Sequence, residues 1–118
     1  MALDLSTVEG GDVLIIKLKG DLDTYTAHDF LDFFKKQLER GKNRFVVDMS
    51  EVSFVSSSGW GALSSAYKKS REKGGNLVLY GLRGQVKRVY RIMGFRVILK
   101  AYDDLREAMA QAMKSKFK

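Results

Sequence analysis

Ser56, Ser57 and Ser58 stand in a row directly before Gly59-Trp60-Gly61. An apolar run ending at Val55 precedes them, and downstream Trp60, Leu63, Ala66 and Tyr67 recur at helical spacing. The three hydroxyls therefore fall where a helix begins, beside unpaired backbone N–H groups and the positive end of the helix dipole. That combination suits an anion, phosphate above all. A phosphoserine there would place about −1.5 to −2 charges and three strong acceptor oxygens at one point of the surface. Serine at this position is also a common N-cap. The stretch by itself leaves both readings open, a structural cap or a modifiable switch.

The elements that must hold these serines follow from the pattern on either side. Ala2 to Val8 alternates weakly and predicts a short edge strand, and Glu9-Gly10-Gly11-Asp12 a turn. Val13 to Lys19 makes a second strand paired with the first as a hairpin. Gly20-Asp21-Leu22-Asp23 reads as a turn into a helix whose apolar stripe is Ala27, Phe30, Leu31, Phe34 and Leu38. Asp29, Asp32, Lys36 and Glu39 face away from that stripe, Phe33 falls off it, and Gly41 ends the helix. A third strand spans Arg44 to Met49, with Val52 to Val55 leading out of it to the serines. The second helix runs to about Lys73 and stops at Gly74-Gly75.

Leu77 to Tyr80 is apolar on both faces, as in a strand covered by helices on each side. Gly81-Leu82-Arg83-Gly84 turns into a third helix with Val86, Val89, Tyr90 and Met93 inward, ended by Gly94. Arg96 to Leu99 reads as the last strand, and a final helix after Asp103 carries Leu105, Ala108, Met109, Ala112 and Met113 at core spacing. The order β-β-α-β-α-β-α-β-α predicts an α/β fold: a mixed, mainly parallel sheet of four to five strands with about four helices. In such sheets the loops at the carboxyl ends of the strands gather on one rim, where ligands and partners bind. The Gly20–Asp23 turn, the serine loop and the Gly81–Gly84 loop belong there. Asp21 and Asp23 are thus expected near the serines, with Asp23 either capping the first helix or facing a partner.

The 118 residues suit one domain, with a core over about 2–113 and a basic tail at 114–118. The chain has no cysteine, so no disulfide or thiolate metal site. The first twenty residues hold Asp4, Glu9, Asp12, Lys17 and Lys19 and predict no signal peptide, and no apolar run approaches a membrane span. A cytoplasmic location is expected. Net charge is +7 but polarised: residues 1–60 hold seven Lys/Arg against ten Asp/Glu, and residues 61–118 hold fourteen against four. Such polarity steers an oppositely patterned partner, fits a phosphate-rich ligand, or simply solvates a basic face.

Three segments bear a family likeness. Gly20-Asp21-Leu22-Asp23-Thr24-Tyr25-Thr26-Ala27, the run from Val47 to Gly61, and Val86 to Phe95 together resemble the STAS domain of stand-alone bacterial anti-sigma factor antagonists. They match its Gly-acidic-Leu-Asp turn, its strand with an Asp-Ser-Ser-Gly-Leu-Gly motif, and its third helix. The likeness spans roughly residues 5–113. It implies a partner switch without catalysis or cofactor: the unphosphorylated antagonist binds an anti-sigma factor serine kinase, is released once phosphorylated, and is restored by a phosphatase. By position the acceptor is Ser57, with Ser56 and Ser58 as alternatives. The implied partner face is Asp21, Asp23, Thr24, Ser56, Ser57, Ser58 and Gly59. Ser56 stands where the family has aspartate, which removes a carboxylate able to bind metal or orient the hydroxyl. Trp60 stands where leucine is common, either as core or as an interface anchor.

Other classes fit less well. The Gly81–Gly84 loop with Lys87, Arg88 and Arg91 imitates the GXXG clamp of a nucleic-acid-binding KH domain. That clamp joins two helices, whereas a strand precedes this loop. A nucleic-acid-binding or scaffold module using the basic C-terminal half is the alternative reading. A serine hydrolase needs a Gly-x-Ser-x-Gly elbow and a histidine base. Val55 occupies the first glycine position, and the sole histidine, His28, falls on the polar side of the first helix. No metal-ligand cluster or Walker-type loop is present in the sequence.

Overall fold

A computed structural model describes residues 3–114. Strands β1 (Asp4–Gly10) and β2 (Val13–Leu22) form the expected antiparallel hairpin. There follow α1 (Thr26–Glu39), β3 (Arg44–Val55), α2 (Ser57–Glu72), β4 (Asn76–Tyr80), α3 (Gly84–Ile92), a 3-10 turn (Phe95–Val97), β5 (Ala101–Tyr102) and α4 (Leu105–Ala112). The sheet order is β1-β2-β3-β4-β5, with every pair after the hairpin parallel. The expected mixed, mainly parallel α/β fold is the one observed.

The period-two alternation of the strands divides the core into two layers. Leu14, Ile16, Leu18, Phe45, Val47, Met49, Leu77 and Leu79 join Phe30, Phe34, Leu63, Ala66 and Val86 of the helices in one cluster. Val13, Ile15, Val46 and Val78 point the other way and meet Ala108 and Ala112 of α4. Phe34 packs against both Phe30 and Phe45, with ring centroids 6.3 and 4.9 Å away. Phe33, off the predicted stripe, is half-buried against the same cluster.

Several boundaries differ from the sequence expectation. The Gly20–Leu22 segment is strand rather than turn, because β2 stays paired with β3 through two register shifts, at Lys17/Lys19 and Gly20/Asp21. Gly20, at φ +123°, takes a conformation that side-chain-bearing residues rarely adopt. β3 likewise runs on past Met49 to Val55, since the lengthened β2 supplies partners for Glu51, Val52, Phe54 and Val55.

The segment Arg96–Leu99 is not a strand. The chain instead winds through the 3-10 turn, leaves Val97 and Ile98 exposed, buries Leu99, and pairs with β4 only at Ala101 and Tyr102. Phe95 draws this segment against the helical layer by stacking on Trp60 at 4.6 Å. On α3 only Val86 and Tyr90 are buried; Val89 and Met93 fall to the side of that narrow stripe and are exposed. Met113 follows the end of α4 and is exposed too. Of the expected core and tail, residue 2 and residues 115–118 lie outside the described residues.

Phe34 has no solvent exposure, so Phe34→Ala is expected to cost about 3–5 kcal/mol in chemical denaturation. A loss below about 1 kcal/mol would contradict the packing described.

Candidate functional site

The site is assembled by the carboxyl ends of β2 and β3. The β2–β3 register carries Leu22 opposite Val55, and the next amide, Ser56 N–H, donates to the Leu22 carbonyl at 2.9 Å. This bond seats the start of α2 against the turn that enters α1. Gly59 completes the contact: a Cβ there would lie 2.4 Å from the Leu22 carbonyl oxygen and 2.8 Å from Val55 Cγ1. A side chain cannot enter without moving backbone. Gly61, two residues on, faces open space.

The three serines have different duties. Ser56 is the N-cap of α2, with extended backbone, and its Oγ accepts from the Gly59 N–H at 3.0 Å. Ser57 and Ser58 begin the helix and are exposed. No acidic side chain occupies the first turn of α2, so the positive end of the helix dipole is not offset there. Capping and an available hydroxyl are thus both present, on neighbouring residues. Ser58 Oγ lies 3.5 Å from Thr24 Oγ1, which brings the two loops together at their hydroxyls.

Asp23 is a cap. Its Oδ1 accepts from the backbone N–H groups of Tyr25 at 2.9 Å and Thr26 at 3.0 Å, while its own N–H donates to Thr26 Oγ1 at 2.8 Å. The Thr26 hydroxyl in turn donates to the Asp21 carbonyl at 2.7 Å. This reciprocal set fixes the turn that presents Thr24. The Thr26 N–H bond is the main reason the Asp23 carboxyl is held below its ordinary value; burial opposes it, and the Tyr25 N–H adds to it.

Of the residues expected at the site, Asp21, Asp23 and Thr24 arrive on one loop and Ser56 to Gly59 on the other. The Gly81–Gly84 loop meets β3 earlier, where Arg83 Nη1 donates to the Ser50 carbonyl at 3.3 Å. Trp60 is core rather than anchor. It is only 3% exposed, and its ring lies between Phe95 and Tyr90. Its Nε1–H is buried with no hydrogen-bond partner among the described residues.

Two aromatics near the site were not expected: Tyr25, 85% exposed, and Phe54, 41% exposed. Tyr25 was legible, since it directly follows Asp23-Thr24 and lies off the α1 stripe. Phe54 was not, because the register shift at Gly20/Asp21 upsets the alternation that would have placed it inward with Val52. His28 is exposed on α1.

With this geometry in place, the similarities to known proteins are informative. The STAS domain model matches residues 4–108, and the chain belongs to that family. Among its relatives, BtrV of Bordetella bronchiseptica is 30% identical over 115 residues, covering 98% of this chain and 97% of that one. The anti-sigma F factor antagonist of Paenibacillus polymyxa is 27% identical over 116 residues, covering 94% and 96%. A Thermotoga maritima crystal structure matches with a TM-score of 0.84 at 26% identity, over 92% of this chain and 93% of that one. The anti-sigma factor antagonist SpoIIAA shares the fold at 16% identity, with a TM-score of 0.68 over 92% and 94% of the two chains. It has been solved both unphosphorylated and, as the Bacillus cell fate determinant, phosphorylated.

Ser56→Ala removes the cap and is expected to cost about 1 kcal/mol by denaturation. Gly59→Ala should cost more, about 1–3 kcal/mol, through its clash with the Leu22 carbonyl, and Gly61→Ala should not destabilise. Equal effects at the two glycines would contradict the close approach at Gly59. The Asp23 bonds have a pH signature. A carboxyl lowered in the folded state stabilises fully above the ordinary 3.8 and loses that contribution as pH falls through its folded value. An NMR titration should place the Asp23 midpoint below 3.8; a midpoint at or above it would refute the capping arrangement.

Proposed function

We propose that this chain is an anti-sigma factor antagonist that works by partner switching. Unphosphorylated, it binds an anti-sigma factor that is itself a serine kinase, and so frees a sigma factor for transcription. That kinase phosphorylates Ser57, the complex separates, and a phosphatase restores binding. The role is carried out in the cytoplasm; among the described residues no helix is long and apolar enough to cross a membrane. The docking face comprises Asp21, Asp23, Thr24, Ser56, Ser57, Ser58 and Gly59, within a single domain spanning the chain. Asp23, Ser56 and Gly59 shape this face, while Thr24, Ser57 and Ser58 offer hydroxyls to the partner. The antagonist designation of the Paenibacillus relative supports this reading.

The observation that carries the proposal is the exposed Ser57 at the first position of α2, beside a serine already committed to the cap. An interface closed over a neutral hydroxyl must desolvate up to two further charges once phosphate is present, and an unpaired buried charge is costly. The free protein bears the same phosphate at little cost, because the helix start supplies N–H donors and favourable dipole. One group therefore separates the complex without unfolding the domain. The capping serine at 56 does for the backbone what the family's aspartate can also do as an N-cap.

Incubation with the anti-sigma factor kinases of the source organism and ATP is expected to modify Ser57, with the modification lost in Ser57→Ala. Mass spectrometry finding the phosphate on Ser56 instead, or none, would overturn the assignment. Ser57→Asp should weaken binding to that kinase at least tenfold by calorimetry, corresponding to about 1.4 kcal/mol or more. Unchanged affinity would remove the mechanism.

A further inference from the structure

Five of the nine large apolar side chains exposed among the described residues fall in one ten-residue stretch. They are Val89, Ile92 and Met93, on and just after α3, and Val97 and Ile98, at the end of the 3-10 turn. Ile92, Met93 and Val97 are 73%, 64% and 79% exposed, so they project from the surface. The core does not use them. Val86 and Tyr90 are the residues that α3 buries, and beyond the turn it is Leu99 that is buried. Gly94, at φ +72°, bends the chain from α3 into the turn, and its carbonyl accepts the Val97 N–H at 3.2 Å. The two apolar groups thus lie on consecutive turns of one bend. An exposed apolar cluster of this kind marks a contact surface. Its charge is one-sided: residues 73–102 contain no Asp or Glu. Arg88, Arg91, Arg96 and Lys100 are interspersed with the apolar side chains, are exposed, and form no ion pair among the described residues. Lys87, by contrast, is paired with Asp103 at 3.0 Å.

We propose that this surface docks on an anionic lipid bilayer, with Ile92, Met93 and Val97 entering the headgroup boundary and the flanking cations meeting the headgroup charge. Charge and shape together select the occupant. A second copy of the chain would bring two basic surfaces face to face, and these repel. A nucleic-acid backbone would satisfy the cations but leave the apolar side chains in water. A protein partner would need a socket for each projecting side chain. A bilayer needs none, because its acyl boundary accepts apolar projections of any shape while its anionic surface attracts the surrounding Arg and Lys. The stems of those side chains also cover apolar surface while their charged ends stay at headgroup level. The contact is peripheral: α3 has nine residues, and among the described residues no helix is long and apolar enough to cross a membrane. It uses no residue of the Ser57 face and does not rest on the proposed partner switch.

The full chain is expected to co-sediment with vesicles of equal parts phosphatidylglycerol and phosphatidylcholine, and not with vesicles of phosphatidylcholine alone. Ile92→Ser and Val97→Ser leave the charge unchanged and should each weaken partitioning about tenfold. Arg88→Gln and Arg96→Gln should each weaken it about fivefold, and added salt should weaken it further. All four side chains are exposed, so the melting temperature should not move. Val8→Ser, at an exposed apolar site on β1, should leave partitioning unchanged. Full binding by Ile92→Ser and Val97→Ser would reduce the interaction to net charge and overturn the proposal. Absence of vesicle binding would overturn it too, and binding of an acidic amphipathic peptide in its place would assign the surface to a protein. Self-association in sedimentation equilibrium that Ile92→Ser abolishes would assign it to a second copy, with the same consequence.

Discussion

The carbonyl of Leu22 is the point on which the site depends. It accepts the Ser56 amide, and it is approached so closely by Gly59 that no other residue fits there without backbone movement. Through that one oxygen, the end of β2 and the start of α2 become a single rigid corner. Asp23 then turns the chain into α1 with bonds to two amides, and Ser56 caps α2 with one. Each helix start thus has a cap from its own loop. The hydroxyls left over are those of Thr24 and Ser58, which meet each other at 3.5 Å, and of Ser57, which has no partner among the described residues.

Much of this was legible in the sequence, and the misses share a cause. The element order and the two-layer core follow from apolar periodicity, since Val13 to Leu18 and Leu77 to Leu79 fill both faces of the sheet. The serine row, set between an apolar run and residues at helical spacing, announced a helix start. What periodicity could not show was the pair of register shifts between β2 and β3, each with its extra residue on β3, which let Gly20–Leu22 pair as strand where a turn was expected and put Phe54 at the surface. A shift of register leaves no mark in composition, only a glycine that is equally compatible with a turn. The Arg96–Leu99 segment failed for a different reason: its β-branched residues favour a strand locally, but the Trp60–Phe95 stack decides where the chain runs. Tertiary packing overrode local propensity.

The same stack accounts for the burial of Trp60. Its ring packs on Phe95 and Tyr90, at the cost of an indole N–H without a partner among the described residues. Four of the fourteen basic residues of the second half, Lys87, Arg91, Arg96 and Lys100, line one concavity that Tyr90 also borders.

The account requires the Leu22–Ser56 corner to be preformed and to survive modification of its neighbour. Amide hydrogen exchange at Ser56, followed with Ser57 free and with Ser57 phosphorylated, tests this directly. The expected result is protection comparable to that of central-strand amides such as Val47 in both states. Exchange of the Ser56 amide as fast as that of the exposed hairpin turn at Gly11, in either state, would contradict it.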